Sequence, residues 1–369
     1  MADLFVNMAR KEVCMKRYVL RGLKAIAQLL GYSYCGLLIA YFILRGLFWD
    51  RLWIVAFLSS LIPWLFLPIF LLPLVGFIPR KQKWFSIGSS IACLILIGWL
   101  HHHYFSPESA QFKSNSYDAL RIKVLSLNAT WYHTTKEALG ELIYREIPDI
   151  ICLQETVSEN TKKLFPYIQS SYPYNFFSPH LAIFSRYPIE TKEKINLANH
   201  KEFQQRVILN INQQPVVLYN MQTTAPWIRP QKIWPGLNIP VYQYGDRTAQ
   251  IQDFIQRIET ETLPVIAAGD FNFTDQSQDY SLVASGLKDA FNISGFSFGF
   301  TWPHGWPLSD LIKVTNWKLT VPLFRIDYIW YSPHWQSHSS HVLKPVGSEH
   351  LPIATKLTLL TPREISKKS

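Results

Sequence analysis

Long uncharged apolar runs fill most of the first hundred residues, and a shorter alternation of apolar and polar positions follows them. Three runs are free or nearly free of charge: 25–44, 52–78 and 84–100. A membrane-spanning helix needs roughly 20 apolar residues, because the hydrocarbon core is about 30 Å thick and a helix rises about 1.5 Å per residue. We therefore predict three transmembrane helices that form a membrane anchor over residues 1–105, the second of them kinked because it contains Pro63, Pro68 and Pro73.

The basic residues of the short loops predict the orientation of this anchor. Lysine and arginine are concentrated before the first run and in the loop 79–83, whereas the loop 45–51 holds two arginines and one aspartate. Cytoplasmic loops carry the excess of lysine and arginine, so we expect a cytoplasmic N-terminus. Three spans then place everything after His101 outside the cytoplasm. The expected location is the plasma (inner) membrane of a bacterial-type cell, with the extracytoplasmic domain joined through a tether over 106–119.

Beyond the tether, strand-like runs alternate with a few amphipathic helical segments. Helical spacing of apolar residues predicts helices over 136–146 and 247–259. Period-two or continuously apolar runs predict strands over 121–127, 149–154, 181–185, 206–211, 215–221, 263–268, 324–331 and 351–359. Strands with dispersed helices are typical of an α/β or α+β domain in which two sheets pack together and helices lie outside. We assign this domain to residues 120–369.

The net charge of +10 first suggests a nucleic-acid partner, but the charge is unevenly distributed. Residues 1–105 hold 11 basic and 3 acidic side chains and account for +8. Residues 106–369 hold 25 basic and 23 acidic side chains, which leaves +2. The basic excess therefore belongs to the membrane flanks, and electrostatic binding of a polyanion by the domain is disfavoured.

Polar side chains stand at or near the ends of five predicted strands. The sequence Gly269-Asp270-Phe271-Asn272 follows an apolar run, as expected for a buried strand that delivers polar groups to its exposed end. The others are Asn128, Gln154-Glu155, Asp327 and Glu349-His350. This set of hard oxygen ligands with one histidine suits Mg²⁺, which prefers carboxylates, water and substrate phosphate. Taken singly, each residue is equally consistent with a turn cap or an ordinary ion pair.

The order of these motifs resembles the endonuclease/exonuclease/phosphatase superfamily over residues 120–360. The motifs are Leu-Asn128, Leu-Gln-Glu155, Ser185-Arg186-Tyr-Pro188, Gly-Asp270-Phe-Asn272, Arg-Ile-Asp327-Tyr and Ser348-Glu-His350-Leu-Pro. With three preceding spans and the Thr301-Trp302-Pro303 element, the chain is most similar to the membrane-anchored branch that includes the teicoplanin-resistance membrane protein. The resemblance implies a four-layer α/β/β/α sandwich with its site at one rim of the paired sheets.

The resemblance also implies a role for each site residue. Glu155 is expected to be the main ligand of Mg²⁺, with Mn²⁺ as an alternative ion, and Asn128 to assist it. Asp270 and Asn272 are expected to position the attacking water and the phosphate. His350, held by Asp327, is expected to act in acid–base chemistry and in stabilising phosphate charge. Arg186 is assigned to substrate binding.

Two positions depart from the family pattern. Glu349 stands where the family has an aspartate, so this third candidate metal ligand is one methylene longer. Gln222 stands where the family often has a histidine; we assign it to substrate binding, because an amide donates a hydrogen bond but transfers no proton at neutral pH. A leaving group of low pKa, such as a phosphate, tolerates that loss better than an alkoxide, which favours a pyrophosphate substrate over DNA.

The preferred hypothesis is a membrane-anchored, Mg²⁺-dependent phosphohydrolase that acts outside the cytoplasm on a phosphorylated lipid or another phosphoester. A membrane-tethered endonuclease or exonuclease, and a catalytically silent homologue that binds lipid or a partner, are the alternatives. The inserts 227–244 and 291–322 are rich in aromatic residues, proline and leucine. They are interpreted either as covers of the sandwich or as an apolar, membrane-facing entrance to the site. The sequence identifies no protein partner.

Overall fold

A computed structural model describes residues 2–73, 83–105, 120–129, 134–156, 158–201, 203–234, 237–310 and 317–361. The chain divides into two compact units, Met1–His101 and His102–Ser369, each of which is described separately below. The predicted boundary lay four residues later, and the predicted tether over 106–119 lies outside the described residues.

The first unit is helical. Its helices are α1 (Ala2–Phe48), α2 (Trp53–Ser60), α3 (Ile62–Leu65) and α4 (Lys83–Tyr104), the last of which ends in the second unit, with short 3₁₀ turns at Trp49–Arg51 and Leu67–Leu71. Within the described residues, one helical stretch, Cys14–Arg51, is long and apolar enough to cross a membrane. This stretch contains the first predicted span, 25–44.

The prediction of three spans is corrected to one long apolar helix within the described residues, and the kink predicted in the second run is a sharp break. Trp53–Ser60 and Ile62–Leu71 are bent by 80° relative to each other and form either one broken span or a re-entrant segment. Pro63 stands in the first turn after the bend, where a proline is tolerated because its missing N–H would be unpaired in any case. The third predicted span, 84–100, begins with residues 84–86, whose side chains the structure does not describe. The described part of α4 includes His101 to His103 and does not qualify as a span.

The second unit contains sixteen described strands and five further helices. In chain order the strands are β1 (Arg121–Asn128), β2 (Ile150–Gln154), β3 (Tyr174–Phe177), β4 (Ala182–Ser185), β5 (Ile189–Asn196), β6 (Phe203–Ile211), β7 (Gln214–Gln222), β8 (Trp227–Trp234), β9 (Leu237–Gln243), β10 (Val265–Asp270), β11 (Lys288–Asp289), β12 (Trp306–Pro307), β13 (Lys318–Leu319), β14 (Asp327–Tyr331), β15 (Trp335–Val342) and β16 (Ile353–Leu359). The helices are α5 (Lys136–Glu146), α6 (Ser158–Ile168), α7 (Gly245–Thr260), α8 (Gln278–Ala284) and α9 (Ala290–Ser294).

Two six-stranded sheets pack face to face and form the predicted sandwich. One sheet has the order β15-β16-β1-β2-β4-β3 and the other has the order β11-β14-β10-β7-β6-β5. Apolar side chains from both sheets, including Val124, Cys152, Leu218 and Ile266, form the core between them. A second core joins α7 to the outer face of one sheet, and a third joins α5 and α6 to the other. The four-layer α/β/β/α architecture predicted from the resemblance is confirmed.

The helices begin and end where local chemistry dictates. The side chain of Thr135 accepts a hydrogen bond from the Ala138 amide at the start of α5, and Ile147 adopts a left-handed conformation at its end. Helix α7 buries Ile251, Phe254, Ile255 and Ile258 on one face, as its helical spacing predicts.

Strand direction places the polar strand ends together. Strands β1 and β2 run parallel, and so do β7 and β10, so the carboxyl ends of each pair lie at one edge of its sheet. At that edge Asn128 is opposite Gln154, and Asp270 is opposite both Gln222 and Asp327. We call this edge of the sandwich the site edge.

Several strands were not predicted from the sequence, among them β3, β5, β15 and the pair β8 and β9. Strand β15 reads Trp-Gln-Ser-His-Ser-Ser-His-Val, a polar sequence without an apolar alternation, and it pairs with β16 at the border of its sheet. Strands β8 and β9 form a separate two-stranded sheet within the insert 227–244.

Gly269 allows β10 to approach β7 closely beside the site. Its φ is +151°, and an added Cβ would lie 1.9 Å from the carbonyl oxygen of Met221. We expect Gly269→Ala to separate the two strands and to lower the free energy of unfolding by about 2–4 kcal/mol, measured by thermal or chemical denaturation of the full-length chain in detergent.

The matched control is Gly140→Ala on α5, where an added Cβ meets nothing within 4 Å. Alanine is the better helix former, so this variant should be more stable than the parent by about 0.5–1 kcal/mol. Equal stability of the two variants would contradict the packing argument.

Candidate active site

Asn128, at the end of β1, joins two carboxylates at the site edge. Its Nδ2 atom donates hydrogen bonds to Oε1 of Glu155 and to Oδ2 of Asp270, both at 3.0 Å. Asn128 and Asp270 are buried, whereas Glu155 is half-buried and has a left-handed backbone conformation. The side-chain amide of Asn128 thus links the two sheets, because Asn128 belongs to β1 and Asp270 belongs to β10 of the opposite sheet.

His350 and Asp327 form the second half of the cluster. Nδ1 of His350 lies 2.9 Å from Oδ2 of Asp327, and Nε2 of His350 lies 3.9 Å from Oδ2 of Asp270. Ser348 holds this loop in place: its hydroxyl donates to the carbonyl of Asn128 at 2.6 Å and accepts from the His350 amide at 3.0 Å. The imidazole is therefore fixed between two carboxylates.

Asn272 organises the turn that follows β10. Its backbone has a φ of +52°, and its amide N–H donates to Oδ1 of Asp270 at 3.0 Å. Its side-chain Nδ2 donates to the carbonyl of Thr223 at 2.8 Å. Asparagine tolerates the left-handed conformation better than most residues, so this residue fixes the orientation of the Asp270 carboxylate.

Burial and mutual charge shift the pKa values of the two central groups. Burial is the largest influence on Asp270; together with the Asp327 and Glu155 carboxylates it raises the pKa to about 7 against the lowering effects of His350 and Asn128. For His350, burial favours the neutral ring, but the carboxylates of Asp327 and Asp270 outweigh it and raise the pKa to about 9. An imidazolium is therefore held in the site at neutral pH.

The residues of this cluster fit a divalent cation. Oδ1 of Asp327 is buried without a hydrogen-bond partner, and both hydrogen bonds to Glu155 go to Oε1. Three carboxylates face one imidazole, and oxygen ligands of this kind suit a hard cation such as Mg²⁺.

Two ligand sets are possible on distance alone. Asp270, Asp327 and His350 offer ligand atoms within 4.8 Å of one another. However, a metal ligand must be a neutral imidazole, and the raised pKa of His350 opposes that form. The carboxylate of Glu155, with that of Asp270 beside it, is therefore the better cation site. Asn128 presents its Nδ2 to both carboxylates, so its Oδ1 would face a cation there only with the side-chain amide turned over.

Gln222 and Glu349 occupy different positions relative to this cluster. Nε2 of Gln222 donates to Oε1 of Glu155 at 2.8 Å, so Gln222 orients the carboxylate that was predicted to bind the metal. Glu349 is half-buried, and its carbonyl accepts from the His304 amide at 2.8 Å. Among the described residues, Asp270, Asp327 and His350 have ligand atoms within 4.8 Å of one another, and the side chain of Glu349 does not belong to this group.

Arg186 is not brought to the cluster. It pairs with Asp149 at 3.4 Å and lies over the ring of Tyr172. Asp149 precedes β2, whose other end carries Gln154, so Arg186 lies roughly 16 Å from the site edge at about 3.3 Å per residue. Substrate binding by Arg186 at this site, as predicted from the motif, does not agree with this position.

Several residues support the site in ways that were not predicted from the sequence. Thr301 accepts hydrogen bonds from the amides of Ile326 and Asp327 through its hydroxyl, and Ser348 anchors the histidine loop. A buried polar link joins the sheets directly beneath the site, where Gln154 donates to Asn220 at 2.7 Å and Asn220 donates to Gln205 at 2.9 Å. The only sequence signal for this link is a set of amide residues inside otherwise apolar strands.

Comparison with known proteins agrees with this architecture. Residues 120–350 match the Endonuclease/Exonuclease/phosphatase family. Structures of family proteins from Bacteroides thetaiotaomicron and Bacteroides vulgatus superpose with TM-scores of 0.51 and 0.50, at 16% and 15% identity, over 66% and 65% of this chain and 100% of each of theirs. A family protein from Leptotrichia buccalis is 18% identical over 64% of this chain and 99% of its own, with a TM-score of 0.48. A search of curated proteins found no match.

The chain belongs to the Endonuclease/Exonuclease/phosphatase family. Members of this family are metal-dependent hydrolases of phosphoester bonds, and this chain is a hydrolase of that class. The buried cluster of acidic residues and histidine at the site edge agrees with a divalent-metal requirement.

The raised pKa of His350 predicts how the stability of the metal-free protein depends on pH. The folded state keeps a proton on His350 up to about pH 9, whereas the unfolded state loses it near 6.5, so the folded state binds more protons between these values. Stability from this group is complete below pH 6.5 and is lost as pH rises to about 9, by about 3 kcal/mol at most. Asp270, with its pKa raised to about 7, adds a fall in stability between pH 3.8 and 7.

We expect the unfolding temperature of the full-length chain in EDTA to fall across pH 6.5–9. His350→Gln should flatten this dependence, and His341→Gln, at an exposed position of β15, should leave it unchanged. A parent protein whose unfolding temperature rises over the same interval would contradict the assignment.

Proposed function

We propose that this hydrolase is membrane-anchored, uses Mg²⁺ and cleaves a phosphoester or pyrophosphate bond of a phosphorylated lipid on the extracytoplasmic side of the membrane. The observation that carries the proposal is the cluster of Asn128, Glu155, Asp270, Asp327 and His350 at the site edge. It combines oxygen ligands for a hard cation with a buried imidazole that remains protonated at neutral pH. Hydrolysis of a phosphate ester requires both charge neutralisation and an aligned nucleophile.

Each residue has a role that follows from its contacts. Glu155 and Asn128 would hold the cation, which when bound neutralises charge on the phosphate oxygens and lowers the pKa of water. Asp270, with its pKa raised to about 7, accepts a proton from the attacking water, and Asn272 fixes the orientation of its carboxylate. The imidazolium of His350, held by Asp327, donates to a phosphate oxygen and stabilises the charge that develops there.

The position of Gln222 supports a substrate with a good leaving group. Its amide orients Glu155 and supplies no proton, and His350 is the one imidazole in the cluster formed by the described residues. A phosphate leaving group of low pKa needs less protonation than an alkoxide. A pyrophosphate substrate therefore agrees with this site better than a nucleic-acid strand does.

Membrane anchoring is supported by the apolar helical stretch Cys14–Arg51. The lysines and arginines on either side of the predicted spans support a cytoplasmic N-terminus and an extracytoplasmic domain. An apolar N-terminal segment joined to the family domain, together with the Thr301-Trp302-Pro303 element, supports the membrane-anchored branch that includes the teicoplanin-resistance membrane protein.

The direct test is phosphate release by the full-length chain in detergent, with Mg²⁺ or EDTA, from a polyprenyl pyrophosphate, a phospholipid and plasmid DNA. We expect Mg²⁺-dependent release from a lipid substrate. Asp270→Asn removes the carboxylate with little change of shape and should lower turnover by on the order of 10²–10³-fold.

Glu193→Gln, at an exposed position of β5, is the matched control and should retain parental turnover. DNA nicking that falls steeply with salt, without release from any lipid, would favour a membrane-tethered nuclease instead. Equal activity of Asp270→Asn and the parent would contradict the proposed site.

A further inference from the structure

The strands β8 and β9, which we call the β8–β9 arm, extend from the site edge without joining either main sheet. They form a two-stranded sheet of their own, with Trp227 paired to Gln243 and Pro230 paired to Pro240. Residues 227–232 are all exposed, so β8 lacks the usual alternation of a buried and a solvated face. An isolated two-stranded hairpin is only marginally stable in water, and this one exposes 59% of Trp227 and 52% of Ile228.

The arm starts beside the catalytic cluster. It begins five residues after Gln222, whose side chain donates to Glu155. The linking residues are tied to the domain, because the hydroxyl of Thr223 donates to the carbonyl of Phe271 and the amide of Thr224 donates to Oε1 of Gln250. The exposed apolar residues of the arm are therefore placed next to the site by ordered backbone.

A second exposed apolar element extends from the same edge. Strands β12 and β13 form another two-stranded sheet, adjoined by Trp317 with 76% of its surface exposed and by the exposed Val321. This insert connects to the site through Trp302, whose ring centroid lies 6.4 Å from that of His350. Two independent inserts thus present apolar side chains around one catalytic edge.

The charge of both elements fits an anionic lipid surface. Residues 227–244 contain Arg229 and Lys232 and no acidic residue, and residues 306–324 contain Lys313 and Lys318 against Asp310. Tryptophan beside cationic side chains is typical of the membrane–water interface, where the ring lies at headgroup level and the cations attract anionic lipids. In contrast, the charges of the domain as a whole nearly balance.

A second copy of the chain fits the arm less well than a bilayer does. Pairing through an exposed strand edge requires backbone donors, and Pro230 and Pro240 remove one donor from each strand of the arm. A bilayer needs no such pairing, and the chain already contains a candidate membrane span.

We infer that the β8–β9 arm and the β12–β13 element lie in the interfacial region of an anionic bilayer and hold the catalytic edge against lipid headgroups. The consequence for substrate rests on the proposed function: the enzyme would take a phosphorylated headgroup directly from the membrane surface and not from bulk solution.

The arm is tested first without any measurement of activity. Ile228→Cys in the full-length chain is labelled with bimane and reconstituted into vesicles of phosphatidylcholine, with or without phosphatidylglycerol, that contain a lipid with a nitroxide near its headgroup. We expect nitroxide quenching of the label, stronger with phosphatidylglycerol and weaker at high salt. The parent protein, treated identically, gives the background from its native cysteines.

Tyr144→Cys is the matched control, because Tyr144 is 85% exposed on α5 and lines the same cleft as Arg186, away from the site edge. Its label should not be quenched. Equal quenching at positions 144 and 228, or none at 228 in a variant whose unfolding temperature matches that of the parent, would overturn the inference.

A second experiment links the arm to catalysis. Replacing Arg229 and Lys232 with glutamine should lower turnover of a lipid substrate in anionic vesicles by about fivefold for each cation removed. Hydrolysis of bis(p-nitrophenyl) phosphate should stay within about twofold of the parent, because neither residue contacts the catalytic cluster. Equal loss on both substrates would overturn the membrane role.

The two proposals fail in distinguishable ways. A parent protein that hydrolyses neither substrate would count against the proposed function, while the quenching of the label at position 228 would still decide the inference about the arm.

Discussion

The confinement of three carboxylates beside one imidazole is the physical constraint on which the rest of the site depends. Asp270 and Asp327 are buried, and Glu155 is joined to Asp270 through the amide of Asn128. Charges in such surroundings are costly unless they are paired. The raised pKa values of His350 and Asp270 favour a protonated imidazole and a protonated carboxyl, which reduces the unpaired negative charge in the site. The remaining carboxylate oxygens fit a divalent cation. The same imbalance that destabilises the metal-free site would give it affinity for Mg²⁺.

The sandwich holds this arrangement because each sheet supplies half of it. Asn128 comes from one sheet and Asp270 from the other, so a small separation of the sheets would break the cluster. The apolar core between the sheets and the buried link from Gln154 to Asn220 oppose such a separation. Gly269 contributes from within its own sheet, because its lack of a side chain allows β10 to lie close to β7. Stability and catalytic geometry are therefore coupled at this edge.

The sequence predicts the strand-end residues well, for a simple reason. Carboxyl ends of parallel strands meet at one edge, so polar residues that follow apolar runs, such as Asn128 and Asp270, come together. Arg186, which was assigned to substrate binding from its motif, follows β4 and does not join them. Strand β4 runs antiparallel to β2, so its end lies at the opposite edge, and strand direction cannot be deduced from the apolar pattern alone.

Other differences between prediction and structure have equally specific causes. Hydropathy and three prolines predicted one kinked second span, but the helix is interrupted at Leu61, just before Pro63, and bends by 80°. The polar sequence of β15 gives no strand pattern, and the strand forms because it pairs with β16. The insert 227–244 is apolar enough to suggest a cover over the sandwich, yet its first strand is exposed. In each case tertiary context, and not local pattern, decides the outcome.

Binding of Mg²⁺ to the full-length chain, measured by titration calorimetry near neutral pH without substrate, tests the central claim most directly. If Glu155 is the main ligand of the cation, the parent binds Mg²⁺ and Glu155→Gln weakens this binding by at least about tenfold, while Glu193→Gln binds as the parent does. Unchanged affinity in Glu155→Gln would contradict the account, because the cation would then be held elsewhere.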